Sequence, residues 1–248
     1  MRLTDHMSRS GQKLFRWRSY VPFIALPFMI WAMLSGKRIE AGYGPAASLV
    51  WDLACFGLIA LGEAIRCLTV GFVPTGTSGR NVKDQLATRL NTSGAYSLVR
   101  NPLYVGNCLI YVGLGLLTQS WVLGLVMALA LWPYYERIIA AEEAFLSEKF
   151  GAEYEAFCAA TPAFLPSLRG WQRPDLGFSV AMMLRRELVS LYGAVIGVYI
   201  VQLILHQFGP TARPLAPAWH WLALAATLLE LLGIYLKRRT NVLKNRVL

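Results

Sequence analysis

Long apolar runs constrain the fold of this chain more than any other feature of its sequence. A helix needs about 20 consecutive apolar residues to cross a bilayer, and five runs reach or approach that length. They lie at 20–36, 46–73, 121–140, 187–208 and 218–236. A shorter, glycine-rich run at 103–119 ends directly against the third of these, so the two predict a tight helical hairpin. We therefore predict an all-α integral membrane bundle of about six transmembrane helices.

The composition favours lipid, rather than a large buried core, as the surroundings of these runs. Charged residues make up 15% of the 248 residues, whereas soluble domains usually carry about 25%. The formal net charge is +10, but nucleic-acid binding needs a basic patch on a polar face. Here the basic residues form short clusters between apolar runs, so we expect no nucleic-acid partner. The sequence leaves the oligomeric state open.

The orientation in the membrane follows from the distribution of Lys and Arg, which concentrate in cytoplasmic loops. With the N-terminus inside, the outer loops hold only Lys37, Arg38 and Arg213 of the 24 basic residues. Both termini are then predicted to be cytoplasmic. We expect the first run to be a retained helix, because it is followed by SGKRIE rather than by a signal-peptidase site. The two long polar stretches, 74–102 and 141–186, face the cytosol, and so would the functional site.

Several familiar sites are not indicated by the sequence. The four cysteines (Cys55, Cys67, Cys108 and Cys158) show no CxxC spacing, so neither a disulfide framework nor a metal site is predicted. Dinucleotide, P-loop and zinc-protease motifs are also missing.

The first polar stretch ends with Arg100-Asn101-Pro102 at the start of an apolar run. Proline suits the first position of a helix, where its missing N–H costs nothing. The tripeptide would therefore lie at a helix N-terminus, where the dipole is positive and backbone donors are free. Arg100 then predicts an anion-binding corner. The alternative is that Arg100 reaches out to a lipid phosphate.

The second polar stretch continues the run at 121–140 without a helix breaker until Gly151, and it is strongly acidic. Most of its glutamates suit a solvated helix face. The adjacent pair Glu142 and Glu143 is less ordinary, because the anionic leaflet repels carboxylates close to a span. A role in binding hydroxyls or a cation would account for the pair.

These motifs together resemble the isoprenylcysteine carboxyl methyltransferase and phospholipid methyltransferase superfamily over about 75–166. The resemblance rests on Arg-x-Pro-x-Tyr-x-Gly, Glu-Glu, Phe-Gly-x-Glu-Tyr and Pro-x-Phe-x-Pro, in that order. The matching residues are Arg100, Pro102, Tyr104, Gly106, Glu142, Glu143, Phe150, Gly151, Glu153, Tyr154, Pro162, Phe164 and Pro166. The resemblance implies an integral membrane enzyme that uses S-adenosyl-L-methionine. It divides the chain into two N-terminal spans (1–74), a methyltransferase core (75–170) and two C-terminal spans (171–248).

Asn101 departs from the family pattern, which usually has histidine there. If that histidine only donates a hydrogen bond, asparagine can replace it; if it titrates during catalysis, a different substrate class is expected. The stretch TSGRN at 77–81 is similar to a bacterial branch that resembles lipid A phosphate methyltransferases. This similarity implies a location in the bacterial inner membrane.

The resemblance and the chemistry of the cofactor assign residues to the site. The cofactor-binding candidates are Tyr96, Arg100, Asn101, Pro102, Tyr104, Gly106, Glu142 and Glu143. Arg100 would take the cofactor carboxylate, and Glu142 or Glu143 the ribose hydroxyls or amino group. An aromatic wall beside the sulfonium would come from Tyr96, Tyr104, Tyr134, Tyr135 and Phe157. The catalytic candidates are Arg137, which would grip an anionic acceptor, and then Arg80 and Asn81.

We therefore predict methyl transfer to a lipid or lipid-linked acceptor at the inner membrane surface. Four basic residues (Arg80, Arg89, Arg100 and Arg137) favour an anionic head group such as a lipid phosphate. A prenylated cysteine carboxylate or a lipid amine is the alternative acceptor, and a small transporter or scaffold is the alternative class. Charges inside spans are functional candidates by default, but Glu63 and Arg66 are expected to neutralise each other structurally on one helix face.

Overall fold

The computed structural model describes residues 3–18, 20–35, 39–74, 88–208, 214–240 and 243, and within these ranges the structure is helical, without strands. The all-α prediction is therefore confirmed. The α-helices are α1 (Leu3–Trp17), α2 (Leu26–Ser35), α3 (Ile39–Tyr43), α4 (Pro45–Gly71), α5 (Ala95–Leu98), α6 (Pro102–Leu117), α7 (Trp121–Phe150), α8 (Ala152–Ala160), α9 (Val180–Phe208) and α10 (Pro217–Arg239). Short 3-10 segments occupy Val21–Ala25 and Leu168–Gly170.

Four of the described helices, α4, α7, α9 and α10, are long and apolar enough to cross a membrane. The two other predicted spans, 20–36 and 103–119, correspond to shorter apolar helices. The predicted span 20–36 begins with the 3-10 segment Val21–Ala25, which has a proline in its first turn. Proline cannot donate a backbone hydrogen bond, so regular α-helix begins only at α2.

The hairpin predicted between 103–119 and 121–140 is confirmed. Helices α6 and α7 are joined by a tight turn in which Gln119 has a φ of +67°. The Ser120 hydroxyl accepts a hydrogen bond from the Leu123 N–H at 3.2 Å and so caps α7. The Gln119 amide donates to Asp52 Oδ1 at 2.6 Å, which ties the turn to α4.

Helix α6 packs closely on α4 because two glycines meet at their interface. A Cβ on Gly62 would lie 2.6 Å from the Gly106 carbonyl oxygen, and one on Gly106 would lie 2.6 Å from Arg66 Cγ. Neither distance is compatible with a side chain at these positions. Helix α9 packs on α4 and α6, and α10 packs on α9. The C-terminal helices therefore join the helices of the predicted core directly.

Helix α1 packs on α7 around residues 134–141, a placement that the sequence analysis did not predict. Gly11 permits this approach, because a Cβ there would lie 1.9 Å from the Arg137 carbonyl oxygen. Phe15 is buried with Tyr134, Tyr135 and Ile138 of α7. Helix α7 runs unbroken from the apolar run into the acidic stretch and ends at Gly151, with a φ of +51°, as the sequence predicted.

Candidate functional site

A large cavity of about 910 Å³ lies between the helices. Small-molecule pockets usually measure about 300–1,000 Å³, so this one is large. Its polar part is lined by residues of both motif stretches, among them Arg100, Tyr104, Glu142 and Glu143. Its apolar part is lined by α2, α6 and α9. The cavity is therefore amphipathic, with charged groups in one part and aliphatic side chains in another.

Arg100 connects the two motif stretches. Its Nε and Nη2 donate to Glu143 Oε1 at 3.0 and 2.7 Å, and its Nη1 donates to the carbonyls of Cys158 and Thr161 at 3.0 and 2.6 Å. Four of the five guanidinium N–H groups are thus engaged by the protein. Those carbonyls lie at the C-terminal end of α8, where helices leave acceptors unsatisfied. Arg100 therefore braces α7 and α8 against the start of α6, rather than presenting an open fork to an anion.

The Pro-x-Phe-x-Pro segment is bound to the chain just before α6. The Arg100 N–H donates to the Pro162 carbonyl at 2.9 Å, and the Asn101 side-chain amide donates to the Ala163 carbonyl at 3.0 Å. The Ser167 N–H donates to the Leu98 carbonyl at 2.9 Å. These bonds explain why the closing motif accompanies the Arg-Asn-Pro motif. They also give Asn101 a donor role that needs no titration.

A carboxylate beside an aromatic wall forms the centre of the polar part. The Tyr104 hydroxyl donates to Glu142 Oε1 at 2.8 Å, and Arg18 Nη1 lies 3.7 Å from the same oxygen. The centroid of the Tyr104 ring lies 5.0 Å from the centroid of the Tyr135 ring. The centroids of the Tyr135 and Tyr134 rings are 4.9 Å apart. Glu142 is thereby fixed in orientation, with three tyrosine rings nearby. Such a wall suits a cationic ligand.

Tyr154 lies close enough to Arg100 and Glu143 to interact with both electrostatically. The phenol is buried, and burial raises the pKa of Tyr154 above its ordinary value, with the Glu143 carboxylate acting in the same direction. Tyr154 therefore stays protonated and neutral at physiological pH.

A second polar cluster lies where α4, α6 and α9 meet on the cavity wall. Nε of Arg66 donates to Glu187 Oε2 at 2.9 Å, and its Nη2 donates to the same oxygen. Its Nη1 donates to Asn107 Oδ1. The Ser190 hydroxyl donates to Glu63 Oε1 at 2.9 Å. The sequence predicted that Glu63 would neutralise Arg66, whereas Arg66 forms its ion pair with Glu187 of another helix. We call Arg66, Asn107 and Glu187 the Arg66 cluster.

The structure brings most of the predicted cofactor residues to the cavity. Its lining includes Tyr96, Arg100, Asn101, Pro102, Tyr104, Glu142 and Glu143, together with Tyr134, Tyr135 and Phe157 of the predicted aromatic wall. Gly106 lies instead at the contact between α6 and α4, because a Cβ there would meet Arg66 and Gly62. Its part in the motif is close helix packing.

The predicted catalytic residues are not gathered at the cavity. Arg137 is not among its lining residues, and its backbone carbonyl faces Gly11 of α1. Arg80 and Asn81 lie outside the described residues. Conversely, the sequence analysis missed Arg18, Asn107 and Glu187, all of which line the cavity. Glu187 carried a detectable signal, because it is an acidic residue at the first position of a predicted span.

No group of three or more His, Cys, Asp or Glu side chains that could hold a metal ion occurs in the described part of the chain. Its polar groups are organised around carboxylates, tyrosines and arginines.

Fold and site together define a class: an all-helical integral membrane protein with an amphipathic cavity bounded by motif residues. The phospholipid methyltransferase family model matches residues 53–153. A probable protein-S-isoprenylcysteine O-methyltransferase of Oryza sativa subsp. indica is 33% identical over 145 residues, which cover 56% of this chain and 73% of that protein. The chain belongs to the isoprenylcysteine carboxyl methyltransferase and phospholipid methyltransferase superfamily.

Other relatives match over a smaller share of their length. The nickel-cobalt-cadmium resistance protein NccN of Alcaligenes xylosoxydans xylosoxydans is 40% identical over 41% of this chain and 50% of its own length. The protein-S-isoprenylcysteine O-methyltransferase of Schizosaccharomyces pombe is 33% identical over 47% of this chain and 50% of its own. The chain thus spans about half the length of these two relatives. No solved structure gives a significant match.

Proposed function

We propose that this protein transfers a methyl group from S-adenosyl-L-methionine to a lipid-borne acceptor at the cytosolic face of a bacterial inner membrane. Family membership supports methyl transfer. The observation that carries the proposal is one cavity in which Glu142, Glu143 and the tyrosines are continuous with an apolar part lined by α2, α6 and α9. A water-soluble cofactor and a lipid need such a shared space if they are to meet.

The side chains of the polar part suit this cofactor. When bound, it supplies an electrophilic methyl group on a positively charged sulfur. Glu142, held by Tyr104 and Arg18, can accept hydrogen bonds from ribose hydroxyls or an amino group. The rings of Tyr104, Tyr134 and Tyr135 can stabilise a sulfonium through cation–π contact.

Arg100 has a different role in this proposal from the one that the sequence predicted. Because four of its donors are used within the protein, it supports the pocket by fixing Glu143 and the end of α8. Arg18 also lines the cavity and lies 3.7 Å from Glu142, and we propose that it balances the charge of the cofactor carboxylate.

Methyl transfer from a sulfonium is an in-line displacement that depends on positioning and on the exclusion of water. A lone pair on the acceptor forms the new bond to carbon, and the carbon–sulfur bond breaks with its electrons left on sulfur. The protein supplies orientation through Glu142 and Tyr104. Buried residues around them, such as Phe15 and Tyr135, keep water away from the reacting groups.

The identity of the acceptor is a finer proposal. A lipid phosphate was expected from four basic residues, but Arg100 is paired with Glu143 and Arg89 with Asp175 at 2.8 Å. Arg137 does not line the cavity, and Arg80 lies outside the described residues. Phosphate therefore has less support than the sequence gave it. A prenylated cysteine carboxylate and a lipid amine remain acceptors that the apolar part of the cavity would admit.

Calorimetric titration of S-adenosylhomocysteine into the detergent-solubilised protein tests the proposal directly. We expect saturable binding that Glu142→Gln weakens and that Glu148→Gln, a matched change at an exposed glutamate of the same helix, leaves unchanged. A transporter or scaffold has no reason to bind this compound. If the wild-type protein did not bind S-adenosylhomocysteine, methyl transfer would be rejected. Mass spectrometry of membrane lipids with and without the protein should reveal a lipid heavier by one CH₂.

A further inference from the structure

Two members of the Arg66 cluster, Arg66 and Glu187, are buried, although they line a cavity with a large apolar part. The exposed fractions are 8% for Arg66 and 3% for Glu187. Asn107 follows Tyr104 by three residues on α6, so the cluster lies about 4.5 Å along the helix from the residue that holds Glu142. It is therefore next to the proposed cofactor site and on the same cavity wall.

The hydrogen bonds within the Arg66 cluster use only one of the two carboxylate oxygens of Glu187. Two Arg66 nitrogens donate to the same carboxylate oxygen of Glu187, Oε2, and the third donates to Asn107. Among the described residues, none donates a hydrogen bond to Glu187 Oε1. Because Glu187 lines the cavity, this oxygen can accept a hydrogen bond from a molecule that occupies the cavity. The occupant of the cavity is the natural source of that donor.

The same arrangement disfavours an anionic occupant at this position. The charge of Arg66 is matched by Glu187 at hydrogen-bonding distance, so a phosphate or carboxylate would have to displace Glu187. Glu187 Oε1, the oxygen that these bonds do not use, is a hydrogen-bond acceptor. It is therefore complementary to a group that carries a proton.

We propose that Glu187 of α9 binds the head group of the methyl acceptor, which is a proton-bearing amine or hydroxyl on a lipid. This inference rests on the proposed function and deepens it. The hydrocarbon chain of the lipid would lie along Met29, Met33, Ile110, Leu114, Val201 and Ile204, which line the apolar part of the cavity. Helix α9 follows the segment 53–153 that matches the family model. The acceptor-binding residue therefore lies outside the segment that the family model covers.

The test uses the full chain in nanodiscs with radiolabelled cofactor and three lipids: phosphatidylethanolamine for an amine, diacylglycerol for a hydroxyl and phosphatidic acid for a phosphate. We expect methylation of one of the first two and not of phosphatidic acid. Glu187→Gln should raise the KM for that lipid about tenfold or more. Its affinity for S-adenosylhomocysteine should stay within about twofold of the wild type, because Glu187 does not touch Glu142 or Tyr104.

Loss of the buried partner of Arg66 could unfold the Glu187→Gln variant, so a double variant is needed. Arg66→Met with Glu187→Leu replaces the pair by apolar side chains of similar size, which folded proteins often tolerate. It should bind S-adenosylhomocysteine and fail to methylate the lipid. Wild-type activity in this variant would overturn the proposal. Preference for phosphatidic acid would also overturn the proposal, if Arg186→Gln raised the KM for that lipid and Glu187→Gln did not. If the wild type does not bind S-adenosylhomocysteine, the proposed function itself fails.

Discussion

Arg100 and Glu143 form a two-pronged contact in which Nε and Nη2 donate to one carboxylate oxygen at 3.0 and 2.7 Å. The contact joins residues 43 positions apart in the chain. It links the segment before α6 to the C-terminal half of α7. The proposed cofactor pocket depends on this link, because Tyr104 and Glu142 lie immediately beyond it on the same two helices.

Replacement of Arg100 by Ala should weaken both stability and cofactor binding. The change leaves Glu143 without its partner and removes the donors to the carbonyls of Cys158 and Thr161. Loss of such partly buried charged hydrogen bonds costs about 2–4 kcal/mol. We expect a clearly lower thermal unfolding midpoint in detergent and no measurable binding of S-adenosylhomocysteine.

Arg89→Ala provides the comparison for Arg100→Ala. Arg89 pairs with Asp175, and both side chains are more than half exposed, so the pair contributes at most about 1 kcal/mol. If both variants lowered the unfolding midpoint equally, Arg100 would have no special bracing role.

Removal of the Tyr104 hydroxyl should weaken cofactor binding without unfolding the protein. Tyr104→Phe keeps the ring beside Tyr135 but removes the hydrogen bond that orients Glu142. A hydrogen bond to a charged group contributes about 1.5–3 kcal/mol. We expect the dissociation constant of S-adenosylhomocysteine, measured by calorimetry, to rise about tenfold or more. Tyr235→Phe, at an exposed tyrosine of α10, should leave it unchanged, and an equal effect of both changes would contradict this role.

The departure at Asn101 can be tested with two substitutions. The Asn101 amide donates to the Ala163 carbonyl, so histidine, which has a ring N–H, should preserve methylation within a few-fold. Asn101→Asp replaces the donor with an acceptor facing that carbonyl, and the activity should fall by about tenfold or more. The measurement is incorporation of label from the cofactor into lipid. Full activity of Asn101→Asp would mean that the bond to Ala163 does not matter.

Helix α1 should detach from α7 when Gly11 is replaced by Ala. A Cβ at this position would lie 1.9 Å from a backbone oxygen that cannot move aside easily. In a free helix the same change would be favourable by about 1 kcal/mol, so a loss of function would reflect packing. We expect weaker binding of S-adenosylhomocysteine, because Arg18 follows α1 and contacts Glu142.

If α1 is displaced in Gly11→Ala, limited proteolysis should cleave α1 faster in this variant than in the wild type. Gly57→Ala is the matched control, since a Cβ on Gly57 meets nothing within 4 Å. Unchanged binding and cleavage in Gly11→Ala would show that α1 does not need its close contact with α7.

Much of the helical plan could be read from the sequence because hydrophobic runs and helix-end residues act locally. The hairpin of α6 and α7 was predicted from two adjoining runs, and Pro102 does begin α6. The end of α7 at Gly151 follows from a backbone conformation with positive φ, which glycine adopts at little cost. The sequence also predicted that the two motif stretches meet at one cofactor, but it did not predict that Arg100 pairs with Glu143 or Tyr104 with Glu142.

The sequence by itself determined particular helix ends, such as the start of α6 at Pro102 and the end of α7 before Gly151, because those properties depend on neighbours in the chain. Only the tertiary structure decided that Arg66 pairs with Glu187 rather than with Glu63, that Gly106 serves helix packing, and that α1 delivers Arg18 to Glu142. Each of these outcomes depends on the rotation and separation of packed helices. A local pattern does not encode them, since a rotation of about 100° around the helix axis already presents a different side chain to the same neighbour.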